Sequence, residues 1–439
     1  MPALPRPVRT AATLVAAVVG ASVLLAAASV APRGAPADAA TPAAAIAPKA
    51  TTASTASAAP KALAAPKAAT ATTTAWAPVR SAGIVTLDWG DIDATADAWR
   101  GNYLVLEPWE GARIPALKAK NPRLKVLMYK NVASVRKDSH ESGIYSTGLS
   151  YREAQAGGWL LSDPAGRTLQ WSDWSDLYPT DVGATAYQDR WAANVLGELS
   201  SARWDGVMMD DTLTYLSHTT VGDRVSTQIP TDQAMYDATE RFLSRVAGKV
   251  KAGGYLAVPN LTVEWNTWRG VVTDWTRYVS GWENEYFVKW GLDRAGARFA
   301  GNDWTWKADM ASWLAARDVP LLAVTYSNRS DQAAQLYHRA TWLMTWNGRT
   351  GSSVFVPSEP DVNHWTAAST VEIGTPTQTR RVVGTTGVWR RSYTRGTALV
   401  NPTATSAVVQ VTAGSRTLSG RPVNRVRVPA LSGMILRHG

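Results

Sequence analysis

Between Val79 and Ser358 short apolar runs alternate with amphipathic segments, and each run stops at a polar or charged residue. Such a run is long enough for a strand buried on both faces, and the segment after it is long enough for a crossover helix. The chain is therefore constrained to wind a parallel sheet covered by helices. The strand candidates are Gly83–Leu87 ending at Asp88, Tyr103–Leu106 ending at Glu107, and Lys125–Tyr129 ending at Lys130 and Asn131. A fourth opens at Asp205 and ends at Asp210 and Asp211, and a fifth, Tyr255–Val258, ends at Pro259 and Asn260. The sixth runs from Tyr278 to Glu283 and Glu285, the seventh, Pro320–Thr325, ends at Tyr326 and Ser327, and the eighth is Ser353–Val356. Eight such units in about 280 residues match the size of a (β/α)8 TIM barrel. Helices are expected over 186–201, 233–250 and 331–346, and 132–180 reads as a long insertion in a βα loop.

The flanks read differently. Arg6 and Arg9 precede an apolar stretch from Ala11 to Ala31, and Ala37-Asp38-Ala39 offers a cleavage site, so 1–39 reads as a secretory signal peptide, with an uncleaved N-terminal anchor as the alternative. Residues 40–78 are almost wholly Ala, Thr, Ser, Pro and Lys and form an expected disordered linker. The barrel is then expected over 79–370. From 371 to 439 short alternating strands broken by Gly, Pro and Asn predict a small antiparallel, sandwich-like β module with no helix.

The formal net charge of +10 is unevenly placed. Residues 1–75 carry +5, 76–379 carry −5, and 380–439 carry ten arginines and no acid. The barrel is thus mildly acidic. An arginine-rich tail is open to nucleic acid or anionic wall polymers, but arginines on solvated strand faces explain it as well, and no nucleic-acid partner is expected. The absence of cysteine excludes thiol nucleophiles and disulfides. No clustered histidines, glycine-rich phosphate loop or Gly-x-Ser-x-Gly elbow occurs, so neither metal nor other cofactor is expected, with carboxylate-bound calcium or magnesium near Asp210 and Asp211 as the alternative.

In a barrel the strand tips ring the active site, and here they supply Asp88, Glu107, Lys130, Asn131, Asp210, Asp211, Asn260, Glu283, Glu285 and Tyr326. Two carboxylates across a cleft are the minimum for glycoside hydrolysis, one protonating the leaving oxygen and the other attacking or activating water. Asp205 opens its strand on the far face and reads as structural. Asp210, at the tip, reads as functional; Asp211 fits a supporting or loop-capping role; Glu283 and Glu285 share a strand face, and either suits the cleft. Twenty of the twenty-one tryptophans lie between Trp76 and Trp365. Trp99, Trp191, Trp313 and Trp342 fall in helical patterns that face a core, whereas Trp89, Trp109, Trp171 and Trp174 are placed to stack on sugar rings.

Several segments together resemble the fifteenth family of hypothetical glycosyl hydrolases: Val126–Asn131, Asp205–Asp211, Val279–Trp290, Gly387–Arg391 and Val400–Pro402. The Asp-Gly-Val-x-x-Asp piece alone is also similar to the polygalactosaminidase family and other barrel glycosidases. The resemblance implies a secreted barrel protein with a β tail and glycosidase activity, with the strand-four acid at Asp210 and the strand-six acid at Glu285.

The expected function is therefore secreted glycoside hydrolysis of an oligo- or polysaccharide. Asp210 serves as nucleophile or base and Glu285 as general acid, with burial by Trp282 and Tyr286. Asp88, Glu107, Lys130, Asn131 and Asn260 hold substrate hydroxyls, Trp89 and Trp109 add stacking, and Tyr326 orients a carboxylate. The competing reading is a non-catalytic carbohydrate- or wall-binding barrel.

Overall fold

A computed structural model describes residues 85–87, 97–171, 174–216, 219, 224–292, 294–359 and 366–439. The expected leader, the linker, Asp88 and Trp89 lie outside these residues.

Eight parallel strands form one sheet in chain order: β1 (Val85–Leu87), β2 (Tyr103–Leu106), β3 (Lys125–Asn131), β4 (Gly206–Thr212), β5 (Leu256–Leu261), β6 (Trp282–Asn284), β7 (Leu321–Ser327) and β8 (Ser352–Pro357). The sheet curls until β1 returns against β8, which makes the expected (β/α)8 barrel. Because helices cover the outside and side chains fill the inside, β2, β4, β5, β7 and β8 are buried at every position. Gly206 lets β4 start hard against β5, since a Cβ there would lie 2.2 Å from the Leu256 carbonyl oxygen.

The outer layer follows from local sequence. Helix α1 (Ile114–Lys120) links β2 to β3, and α2 (Thr185–Ser201) buries Tyr187, Trp191, Val195 and Leu199 at helical spacing. Thr231 caps α3 (Asp232–Phe242) by accepting from the Ala234 N–H at 3.1 Å. The expected helix over 233–250 continues past α3 through a π turn at Leu243–Ala247 into Gly248–Ala252. Then come α4 (Trp268–Trp275), α5 (Gly301–Ala315) and α6 (Gln332–Thr345), the last capped by Asp331.

Two strand limits differ from expectation. Strand β4 starts one residue later than expected, at Gly206, and runs past Asp210 and Asp211 to Thr212. Strand β6 is shorter: Tyr278 closes the turn after α4, its N–H on the Trp275 carbonyl at 2.9 Å and its phenol on Glu240 at 3.1 Å. Within the insertion, Ser134–Arg136 and Leu177–Pro179 pair antiparallel, and Ser150 caps a short helix, Tyr151–Ala156, with a reciprocal Glu153 contact.

The C-terminal strands are β9 (Arg381–Val382), β10 (Trp389–Tyr393), β11 (Gly396–Asn401), β12 (Ala407–Gln410), β13 (Ser415–Arg416), β14 (Arg425–Val428) and β15 (Ser432–His438). They build an antiparallel sheet ordered β9-β10-β11-β15-β13 and a separate β12–β14 pair. Val388, Leu399, Val409, Val426, Val428 and Leu436 form a small core within this region. The larger sheet also lies on α6. Arg391 donates to the carbonyls of Leu343 (3.0 Å) and Trp346 (2.6 Å), Tyr393 donates to Leu343, and Gly433 sits where a Cβ would meet the Leu336 carbonyl oxygen at 2.2 Å.

Candidate active site

Strand register decides which tip residues meet. Tyr129 lies beside Met208, Asn131 beside Asp210, Asn260 beside Glu283, and Glu283 beside Leu322. Register partners in a parallel sheet face the same side. Tyr129, Asp210, Asn260, Glu283 and Tyr326 thus point into the barrel, while Lys130, Asn284 and Thr325 point out to the helices. The outward residues confirm the alternation: Lys130 reaches Glu198 on α2, Asn284 accepts from Lys307 on α5 at 2.9 Å, and Thr325 bonds His338 on α6 at 3.0 Å.

The inward residues form one hydrogen-bonded cluster. Tyr129 donates its phenol to Asp210 Oδ2 at 2.7 Å, and the Asp211 N–H donates to Asp210 Oδ1 at 2.8 Å. The Asn260 side-chain amide donates to Asp210 Oδ1 at 3.0 Å and to Glu285 Oε2 at 3.1 Å. Tyr326 donates to Glu285 Oε1. Glu285 is the first residue past β6, and the peptide after it is cis.

Strict alternation would send Asp211 to the opposite face from Asp210. Instead β4 shifts register against β5 between Met209 and Thr212, and Asp211 takes a left-handed backbone with φ of 52°. Aspartate tolerates this region better than most residues. Its carboxylate then accepts from Asn131 Nδ2, while Asn131 Oδ1 accepts from the N–H groups of Ala133 and Ser134, both at 3.0 Å.

Burial and neighbouring charge set the protonation states. Burial, then the negative charge of Asp210, pushes the Glu285 carboxyl up to about 8, against hydrogen bonds from Tyr326 and Asn260 that favour ionisation. Glu283 is fully buried one layer below, and neither of its oxygens has a hydrogen-bond partner among the described residues. Burial, with Glu285 and Asp210 beside it, raises its pKa far above the carboxylate range. Burial also raises the Tyr129 and Tyr326 phenols, with Asp210 and Glu285 adding to it respectively, so both remain donors.

The structure thus brings together Asp210, Asp211, Asn131, Asn260, Glu285 and Tyr326, with Glu283 beneath. Glu107 is buried at the end of β2, close enough to Tyr129 to contribute to its raised pKa. Lys130 requires correction: it is turned away from the cluster and held by Glu198 at 2.7 Å and by the Tyr145 carbonyl, so it is not placed to hold a substrate hydroxyl. Trp171 likewise belongs to the hydrophobic core, at 3 % exposure, and has no free face to stack on a sugar. Trp174 is half-buried, and Trp109 lies flat against the His140 ring at 4.2 Å. Of the tryptophans expected in the core, Trp191 and Trp342 are buried, whereas Trp99 and Trp313 are only half-buried. Trp282 faces the helices, donating to Thr276 at 3.0 Å, so Tyr286 and Tyr326, not Trp282, wall Glu285.

Tyr129 was not among the sequence candidates. Its signal was a hydroxyl inside an otherwise apolar buried run, which has to find a partner. Among the described residues no group of three or more His, Asp or Glu side chains is arranged to hold a metal ion, and no helix is long and apolar enough to cross a membrane.

The sequence profile of hypothetical glycosyl hydrolase family 15 matches residues 118–397, which spans every residue of this cluster. The chain belongs to that family. No curated protein matches the chain. Among solved structures it is similar to the glycoside hydrolase domain of PelA from Pseudomonas aeruginosa, at 13% identity and TM-score 0.45 over 64% of this chain and 98% of that one. It is also similar to an alpha-amylase from Lactobacillus plantarum, at 11% identity and TM-score 0.45 over 82% of this chain and 99% of that one. In this member of the family the inward polar cluster stands at the C-terminal ends of the barrel strands.

Proposed function

We propose that the chain is an exported glycoside hydrolase that cleaves an O-glycosidic bond of an oligo- or polysaccharide with retention of configuration, using Asp210 as nucleophile and Glu285 as acid and base. The observation that carries this is the Asn260 amide shared between the two carboxyls. Both oxygens lie within about 3 Å of one nitrogen, so they are at most about 6 Å apart. With the two N–H bonds splayed as in any primary amide, the separation is about 5 Å, the spacing of retaining enzymes and less than the roughly 6.5–9.5 Å of inverting ones.

The chemistry follows from the protonation states. Glu285, kept neutral by burial and by Asp210, gives its proton to the leaving glycosidic oxygen. A carboxylate oxygen of Asp210, oriented by Tyr129, Asn260 and the Asp211 N–H, attacks the anomeric carbon as that bond breaks. Glu285, now ionised, takes a proton from water, which attacks the same carbon and releases Asp210. Export rests on the basic-then-apolar leader of the sequence.

The test is reducing-end release from a panel of bacterial and plant polysaccharides, with NMR of the first-formed anomer. Asp210→Asn and Glu285→Gln should each abolish release, and the product should keep the substrate's configuration. Inversion would overturn the assigned roles, and full activity in both variants would overturn the site. Binding without release at high protein concentration would instead support a carbohydrate-binding barrel.

A further inference from the structure

Among the described residues two exposed tryptophans stand on the carboxylate face: Trp265, 68% exposed, in the loop after β5, and Trp290, 45% exposed, in the loop after β6. Single exposed apolar side chains are ordinary, so exposure alone decides nothing. Trp290 is distinguished by how it is held. Its N–H donates to the Ala297 carbonyl at 2.9 Å, and its own carbonyl accepts from Lys289 Nζ at 3.0 Å. Its ring meets Phe299 edge-on at 5.1 Å and Tyr286 at 5.5 Å. Tyr286 in turn meets Tyr326 edge-on at 5.6 Å, and Tyr326 donates to Glu285. A continuous series of rings therefore runs from a solvent-facing indole down to the proposed acid.

We propose that Trp290 is a stacking platform for a pyranose ring of the bound glycan, a few bonds along the chain from the cleavage point. The proposal rests on the glycoside hydrolase reading above. The rings beneath fix the indole before anything binds, so little side-chain freedom remains to be lost on binding. The outer surface offers a flat apolar area for the C–H face of a sugar. A protein partner would need a wider apolar patch than one ring, and the ring series leads to Glu285 rather than to another surface. Trp265 has no ring packed against it among the described residues.

The experiment uses the full chain carrying Glu285→Gln, which binds without turnover, and measures affinity for soluble starch, xylan, galactomannan, dextran and chitosan by calorimetry. The expected result is binding to at least one polymer, weakened about ten-fold or more by adding Trp290→Ala and kept within about three-fold by Trp290→Phe, which retains a flat ring. Unchanged affinity in the alanine variant for every polymer bound, or no binding to any of them, overturns the platform. Reducing-end release by the parent with an unchanged kcat/KM in Trp290→Ala sinks the platform and leaves the hydrolase reading standing. Trp290-dependent binding with no release by the parent does the reverse.

Discussion

Tyr129 donates its phenolic proton to Asp210 Oδ2 at 2.7 Å, and both side chains are buried. A hydrogen bond to a buried carboxylate fixes which oxygen is free to attack, and losing one costs about 1.5–3 kcal/mol. Tyr129→Phe keeps the ring and the packing but removes this bond, so kcat should fall roughly 10- to 100-fold, and the thermal transition should drop by about a few degrees. Activity within about two-fold of the parent would show that Asp210 is not oriented through this residue.

The pH dependence follows from Glu285. In the proposed mechanism it acts as an acid only while protonated, and its pKa is pushed up to about 8. The expected kcat/KM profile is therefore flat through neutrality and falls as pH rises above about 8. An alkaline limb near pH 5 would exclude Glu285 as the acid. Because Asp210 is the second cause of the shift, Asp210→Asn should move the Glu285 titration downward, as read by NMR of the labelled carboxyl carbon.

Glu283 has a stability consequence of definite sign. Its folded pKa is raised, so its contribution is full below about pH 4.5, where the unfolded chain also holds the proton, and is lost as pH climbs toward the folded value. Glu283→Gln cannot titrate. Relative to the parent it should therefore gain about 1–3 kcal/mol of stability between pH 4 and pH 7 in urea melts. A constant difference between parent and variant across that range would mean Glu283 is not held neutral by the fold.

The barrel was legible because periodicity reports burial, and burial on both faces leaves a run such as Leu321–Ser327 with little choice but a central parallel strand. Asp205 was legible for a related reason: a carboxylate at a strand's start belongs to the far face, where it accepts from Lys118 (2.5 Å), Lys125 (3.2 Å) and the Val126 N–H (2.8 Å). Side-chain direction at the tips was harder to read. Lys130 and Tyr129 are neighbours, and one residue of register separates a place among the helices from a place on Asp210. The bulge that keeps Asp211 beside the cluster depends on one backbone angle, for which an aspartate is only permissive. Trp171 shows the limit of composition, since a tryptophan in a loop-rich insertion packs a core as readily as it awaits a sugar.

Helix α6 is closed in on two sides, by the barrel strands it follows and by the C-terminal sheet that Arg391, Tyr393 and Gly433 seat on it. Removing the sheet would leave an apolar helix face and the carbonyls of Leu343 and Trp346 to find other partners. The terminal strands are thus less an appendage than a second wall of the same hydrophobic interior, to which Tyr393, Ala398, Val400 and Ile435 contribute. An enzyme engineer who wished to exchange the tail for another module would have to redesign α6 with it.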